Sequence, residues 1–383
     1  MGETDRRASW DDARMRKDRL ALLQSEMKRR SVGALYIGSG VTLRYVLNQK
    51  VPGSQVFVPA SGEAIVFVRP RDAGYVSRIG VPMRKPLGRG SEALDDGREA
   101  LVGGLKDLMR EHGVGGERLG IDGLETGAVL DLVHGGFDLV DAEPIIERAW
   151  TVKTPDEVAI YRAVGAQYVT TFNSFRNAIR PGVTERMLAH VVTSTWEELE
   201  GEDIAQLNVC AGENMNPWSR WPTNRVLKDG DFVGIDLHAR GPGGMRGDES
   251  TTFFVGDHPS AEQRDLYRRA SDYLEATLPI WKAGRTIADV MADVPEVPDR
   301  FREKLWDLNY AHGCGLGSSG YPHVNPRETP IDDVLRENQV LSIEVYFGEE
   351  GSTQAVKLEQ MLLVHEDSPE LLGPIPMDRR LIS

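Results

Sequence analysis

The chain opens on a charged stretch in which Leu20, Leu22, Leu23 and Met27 recur at helical spacing, so residues 10–30 predict an amphipathic helix. GALYIGSG (33–40) and EAIVFVR (63–69) are short apolar runs bounded by glycine or charge, and they predict strands. Residues 92–113 predict a helix and RLGIDG (118–123) another strand. This alternation predicts a small α/β domain over residues 1–150. A long helix is predicted over 152–179: Thr154 suits an N-cap, Pro155 the first turn, and Asp156 and Glu157 the positive helix end. Residues 180–201 repeat the logic, with Thr184 as the cap. After residue 205 the period changes to that of strands, in QLNVCAG, DFVGIDLHA, STTFFVG, VLSIEVYFG and AVKLEQMLLV. One helical stretch, SAEQRDLYRRASDYLEATLPIWKAG, interrupts them. Two helices followed by mostly antiparallel strands predict an α+β domain over 151–383.

Strand parity adds chemistry to this outline, because alternate side chains of a strand face opposite ways. In DFVGIDLHA, Val233, Ile235 and Leu237 share one face, and Asp236 and His238 share the other, roughly 7 Å apart. The glycine-rich RGPGGMRG can turn the chain back into a strand that begins with Asp248. In VLSIEVYFG the aliphatic stripe leaves Ser342, Glu344 and Tyr346 on the opposite face. In AVKLEQMLLV, Lys357, Glu359 and Met361 share a face. His312 lies in YAHGCGLG, where close glycines let backbone approach a site, and a loop is expected there. These acids are either solvated strand faces or members of one pocket. Four carboxylates in a partly buried pocket repel strongly, so they need protons or cations. Two divalent ions balance four carboxylates, and hard oxygen donors with one imidazole suit Mn, Zn, Fe or Co.

Composition narrows the setting. At 383 residues the chain is long enough for two domains, and 40% hydrophobic with 27% charged residues is a globular balance. A net charge of −14 disfavours nucleic acid and anionic membranes as partners. Two cysteines, Cys210 and Cys314, are no disulfide framework, and no run approaches the ~20 apolar residues of a membrane span. A cytoplasmic protein with a small-molecule substrate is the expectation.

The second half also resembles the pita-bread metallopeptidase superfamily (creatinase, aminopeptidase P and Xaa-Pro dipeptidase-like, M24). VKTPDEV, IRPGVTE, GIDLHARGPGGMRGDESTTFFVG, HGCGLG, VLSIEVYFG and VKLEQMLLV carry the resemblance, in order, from about residue 150 to 365. The resemblance implies a pita-bread α+β catalytic domain behind a smaller creatinase-type α/β domain. It implies two divalent metal ions held by Asp236, Asp248, His312, Glu344 and Glu359, with Asp248 and Glu359 bridging. It also implies a homodimer. The peptidases carry a histidine upstream of the first aspartate, and AGENMNPWSRW has none; they carry another seven places after the metal histidine, where this chain has Ser319. Both departures count against peptide cleavage.

The branch of dimethylsulfoniopropionate lyases is similar in further respects: an NPW-like element (Asn216, Pro217, Trp218), ligand aspartates twelve apart, and a GVKLE-like last strand. Yet its extra acid two places after the first aspartate is His238 here, and its catalytic aspartate six places after the metal histidine is Ser318, which cannot serve as that base. His238 is then a further ligand, a proton shuttle, or a hydrogen-bond partner of a ligand carboxylate. Ser318, Ser319 and Tyr321 either line the cavity mouth or are ordinary loop polarity. His323 either reaches substrate or lies on the surface. Trp218, Arg220 and Trp221 either form a wall for a small anionic or planar substrate or pack as core. Lys357 either pairs with a ligand carboxylate or is solvated. The reading favoured is a dinuclear metal-dependent hydrolase of a small substrate at a C–N bond. A lyase, an Xaa-Pro peptidase and a non-catalytic binding protein are the alternatives; an intact ligand set argues against the last.

Overall fold

The computed structural model describes residues 10–88, 96–302, 310–317, 320–325 and 331–382. The chain divides into two compact units, Asp11–Trp150 and the chain from Thr151 onward. Among the described residues no helix is long and apolar enough to cross a membrane.

The first unit is built on six strands: β1 (Val32–Ile37), β2 (Gln55–Pro59), β3 (Ile65–Phe67), β4 (Met83–Arg84), β5 (Arg118–Asp122) and β6 (Leu139–Asp141), in the order β4-β3-β2-β1-β5-β6. β1 runs antiparallel to β2 and parallel to β5, which requires a crossover, and the helix Asp96–Glu111 lies between them in the chain. Leu101, Leu105, Leu108 and Met109 of that helix pack with Tyr36, Phe57, Phe67 and Leu119 in an apolar core. The opening helix, Asp12–Arg29, buries Met15, Arg19, Leu23 and Met27 at four-residue spacing. Leu20 and Leu22 are only partly covered, and the buried Arg19 instead donates to Tyr45 O and Asn48 Oδ1, both at 3.2 Å. Local hydrophobicity could not predict a charged residue on that face.

The second unit begins with the helix Pro155–Ala178. Its capping box is formed by Thr154 Oγ1, which accepts from Glu157 N, and Glu157 Oε2, which accepts from Thr154 N. The next helix, Glu185–Glu198, is capped by Thr184, as its sequence predicts. Behind them lies a largely antiparallel sheet: β7 (Asp203–Ala211), β8 (Phe232–Arg240), β9 (Arg246–Phe254), β10 (Ala311–Gly313), β11 (Gly320–Val324), β12 (Val340–Gly348) and β13 (Ala355–Leu363). Their order is β11-β10-β12-β13-β9-β8-β7, with the short β14 (Glu370–Leu371) paired to β13. Every residue of β9, β12 and β13 is buried, so both faces of the sheet centre are covered.

The expected loop at His312 is instead the strand β10, three residues long, between β11 and β12. Glycine makes it feasible: a Cβ on Gly313 would lie 2.2 Å from Tyr321 O, so only a residue without one allows β11 this close.

Candidate metal centre

Register sets the site. Across β7, β8, β9, β13 and β12 the partners are Asn208–Asp236, Asp236–Ser250, Ser250–Glu359 and Glu359–Glu344. Paired residues project to the same side of a sheet, so Asp236, Glu359 and Glu344 lie in one row on one face. Asp248 is two residues along β9 from Ser250, faces the same way, and stands opposite His238 of β8. On the far side, β10 places His312 opposite Ser342, two residues from Glu344. The four acids and the His312 imidazole predicted as ligands, with His238 beside them, therefore meet on one face, and Asp248 and Glu359 are only 2% and 1% exposed.

Lys357, two residues before Glu359, reaches into this row. Its Nζ lies 2.8 Å from Asp236 Oδ2, 3.2 Å from Glu359 Oε2 and 3.4 Å from Glu344 Oε2. Asn208 Nδ2 also donates to Asp236 Oδ2 at 3.0 Å, and Ser342 Oγ donates to Glu359 Oε1 at 3.0 Å. His238 sits between the aspartates, with Nε2 3.1 Å from Asp236 Oδ1 and Nδ1 2.6 Å from Asp248 Oδ2. Arg246, on the same face two residues before Asp248, contacts His238 Nδ1 and approaches Asp248 Oδ2 at 3.6 Å. His312 Nδ1 faces Gly313 O at 3.3 Å, an acceptor that demands a proton there. Nε2 faces Glu359 Oε1 at 3.3 Å and Asp248 Oδ2 at 3.5 Å, where it donates a proton to the carboxylates or, with that proton lost, offers its lone pair to a cation.

These charges pull the groups apart. Burial and the Glu359 charge raise the Asp248 carboxyl, and the same two causes raise Glu344 to about 7. Burial also pushes Asp236 and Glu359 upward, but Lys357 outweighs it, with His238 helping at Asp236 and His312 at Glu359. Both acids end low, Glu359 at about 2. Burial lowers both histidines, yet the surrounding carboxylates win: His238 rises to about 10 and His312 to about 9. The cluster alone thus tolerates its acids by holding protons and one ammonium, which is the condition a divalent cation relieves.

The donor set fits such cations. Asp236 Oδ1 and both oxygens of Asp248 have no hydrogen-bond partner although they are buried. Two groups bring ligand atoms within 4.8 Å of one another, Asp236–His238–Asp248 and Asp248–His312–Glu359, and Asp248 belongs to both. Carboxylates with imidazole suit a first-row divalent ion of borderline softness.

A wall closes one side. Trp218 packs over Gly234, where a Cβ would come within 2.7 Å of the indole, and it makes an edge contact with Tyr346 at 6.1 Å. Lys357 Nζ lies 5.9 Å from the same ring, within cation–π range. The segment that carries Trp218 is clamped to the turn between β12 and β13: Asn216 Nδ2 donates to Glu349 O and Ser352 O, and Tyr346 Oη donates to Met215 O and Asn216 Oδ1. Glu185, at the start of its helix, fixes the segment from behind. It accepts from Ala211 N, Asn214 Nδ2, Thr223 N and Thr223 Oγ1 at 2.6–2.9 Å.

The remaining predicted residues fall around this core. His323 is exposed on β11 directly opposite His312, with ring centroids 6.2 Å apart. Tyr321 directs its hydroxyl to Asp333 Oδ2 at 2.8 Å. Arg220 is exposed and Trp221 is 75% exposed, so Trp221 is no core residue. Ser318 and Ser319 lie outside the described residues. Arg246, Asn208, Ser342 and Glu185 are site residues beyond those the sequence predicts. For Arg246 a signal existed, since it shares strand parity with Asp248.

Comparisons with known proteins agree with this geometry. Residues 19–149 match the creatinase/prolidase N-terminal domain, and residues 159–366 match metallopeptidase family M24. A dimethylsulfoniopropionate lyase of Roseobacter denitrificans is 25% identical over 301 residues, 76% of this chain and 67% of that protein. An Xaa-Pro dipeptidase of Lactobacillus helveticus is 27% identical over 207 residues, 53% of this chain and 55% of that one. Among solved structures, a dipeptidase from Pyrococcus horikoshii superposes with a TM-score of 0.79 at 19% identity, covering 94% of this chain and 99% of its own. An Xaa-Pro dipeptidase from Bacillus anthracis gives 0.78 at 18%, covering 95% and 99%. The fold is thus a creatinase-type domain followed by a pita-bread domain. Enzymes of the matched family use two divalent metal ions, and the acid and histidine clusters of β8, β9, β10 and β13 are able to bind them. With its match spanning over half of the sequence, this chain belongs to metallopeptidase family M24.

Proposed function

We propose that the protein is a dinuclear metal-dependent hydrolase of a small substrate, non-peptide or dipeptide-sized, acting at a C–N bond. One observation carries the reading: Asp236, Asp248, His312, Glu344 and Glu359 converge in a buried row in which the oxygens of Asp248 have no hydrogen-bond donor. These five residues would hold the ions, which when bound would supply Lewis acidity for a carbonyl-like oxygen and a water. Lys357 fixes Asp236 and Glu359 in orientation through its ammonium. His323, exposed beside His312, exchanges protons between the site and solvent. Trp218, with the exposed Arg220 and Trp221, is the wall against which a small anionic or planar substrate is held.

Two sequence features direct the reading away from peptides: no histidine lies between residues 211 and 221, and Ser319 stands where the peptidases resembled here carry one. A screen of metal-supplemented protein against small amides, guanidino compounds, betaines and X-Pro dipeptides tests it. Turnover of an amide or guanidino C–N bond that vanishes with chelator is expected. Turnover confined to X-Pro dipeptides narrows the substrate to the dipeptide-sized class, and no turnover that depends on metal overturns the reading. The match to a lyase over three quarters of the chain favours a second reading, elimination from a carboxylate substrate. Oxygen-18 water separates the two, since only hydrolysis places the label in the product.

A further inference from the structure

The two groups of ligand atoms differ from the arrangement the five predicted ligands describe, and the difference lies at Asp236. Of its two oxygens, Oδ2 is already engaged by Lys357 Nζ at 2.8 Å and Asn208 Nδ2 at 3.0 Å. Both oxygens of Glu359 also have donors within the protein, Ser342 Oγ on Oε1 and Lys357 Nζ on Oε2. What remains for an ion beside Asp236 is Oδ1, which has no hydrogen-bond partner and faces His238.

His238 makes the same point from its own side. Nε2 lies 3.1 Å from Asp236 Oδ1, yet it has no hydrogen-bond partner. Nδ1 meets incompatible demands. A guanidinium only donates, so Arg246 needs a lone pair on Nδ1; Asp248 Oδ2, 2.6 Å away, only accepts and needs a proton there. One nitrogen cannot meet both. A cation shared with Asp248 removes the conflict, because coordination takes the ring lone pair and leaves Arg246 to the Asp248 carboxylate it already approaches at 3.6 Å. Asp248 adds an independent sign: it is 2% exposed, and neither oxygen has a hydrogen-bond partner.

We propose that His238 is a ligand of the first ion together with Asp236 and Asp248, so that each of the two ions is served by one imidazole, His238 at one and His312 at the other. This rests on the dinuclear reading and changes what the pair prefers. An imidazole at each ion raises affinity for Zn, Co and Fe relative to Mn and Mg, which favour oxygen. It also removes His238 from proton transfer, because a ring nitrogen bound to a metal offers no lone pair.

The test uses the full-length protein stripped of metal, with Zn and Mn supplied singly and bound ions counted after equilibrium dialysis. Wild type is expected to bind two Zn ions. His238→Ala is expected to keep the ion held by His312 and lose the other by more than ~100-fold, beyond the 10–100-fold that loss of an outer partner costs. His238→Asp supplies an oxygen ligand in the same place; it is expected to recover two ions while moving preference from Zn toward Mn, and this recovery shows that the site still folds. On Mn-loaded protein, spin-echo spectroscopy is expected to detect two imidazole nitrogen couplings, falling to one in His238→Ala. Two ions retained within ~10-fold of wild-type affinity in His238→Ala, with both couplings, overturns the inference and leaves the dinuclear reading standing. Wild type that binds no divalent ion overturns both.

Discussion

In β1 of the first unit, Val32–Ile37, all six residues are buried and none carries a charged or ionisable group apart from the Tyr36 hydroxyl. In β9 of the second unit, Arg246–Phe254, all nine are buried, and they include Arg246, Asp248, Glu249, Ser250, Thr251 and Thr252. Burial alone therefore does not distinguish a structural strand from a functional one; the state of the polar atoms does. The three hydroxyls of β9 are satisfied, Ser250 by Ile235 O, Thr251 by Pro376 O and Thr252 by Lys357 O. Glu249 points to the opposite face and accepts from Gln360 Nε2 and Met361 N, while burial raises its carboxyl well above the ordinary range. Asp248 alone on that strand keeps both oxygens without a donor. Buried polar groups without partners cost stability, so their persistence marks a place where something other than stability is served.

Substitutions test the contrast, and the largest effect belongs to β9. Asp248→Ala is expected to abolish metal-dependent turnover by ~10³-fold or more, since several kcal/mol of charge stabilisation are lost. The same change leaves the melting temperature of metal-free protein unchanged or higher, because it removes a buried carboxyl that burial and the Glu359 charge both disfavour. In the first unit the signs reverse: Phe57→Ala costs about 3–5 kcal/mol of stability in urea unfolding, and folded protein keeps its metal stoichiometry. Lys357→Met sharpens the comparison from within the site. Three carboxylates lose their ammonium, destabilising metal-free protein by about 3–5 kcal/mol, and added divalent ion restores part of the loss in a thermal melt.

The smallest effect lies at the surface, where His365 contacts Glu337 and Glu370, and Glu370 also pairs with Arg162. The Glu337 hydrogen bond raises His365, so its contribution is complete below the ordinary value of 6.5 and is lost as pH rises through the folded value. The Arg162 hydrogen bond lowers Glu370, whose contribution is present above 4.5 and lost as pH falls through its folded value. The pair is strongest between those limits. His365→Gln is expected to flatten the alkaline side of a denaturation-midpoint profile by less than ~1 kcal/mol, as these groups are substantially exposed and screened.

Much of this contrast is legible in the sequence, because it depends on period and parity. The caps at Thr154 and Thr184 and the alternation that puts Asp236, Glu344 and Glu359 opposite aliphatic stripes are local patterns. What escapes is non-local. β10 is three residues ending on Gly313, too short for a period, and β11 holds Pro322, which usually argues against a strand. Arg19 is buried through acceptors on a distant helix. For Lys357, parity supplies Glu359 on the same face and leaves pairing with a ligand carboxylate or solvation open; only the register of β8, β12 and β13 adds Asp236 and Glu344 to it.

The clamp between Asn216 and the β12–β13 turn couples two parts of the protein that sequence keeps more than 130 residues apart. Because Asn216 holds main-chain carbonyls, the side chains of that turn are free to vary without loosening it. Its length and path are not, since any shift there drags Trp218 relative to the carboxylates on the same hairpin. Lengthening or shortening residues 349–354 is therefore a route to new substrate selectivity that leaves every ligand in place.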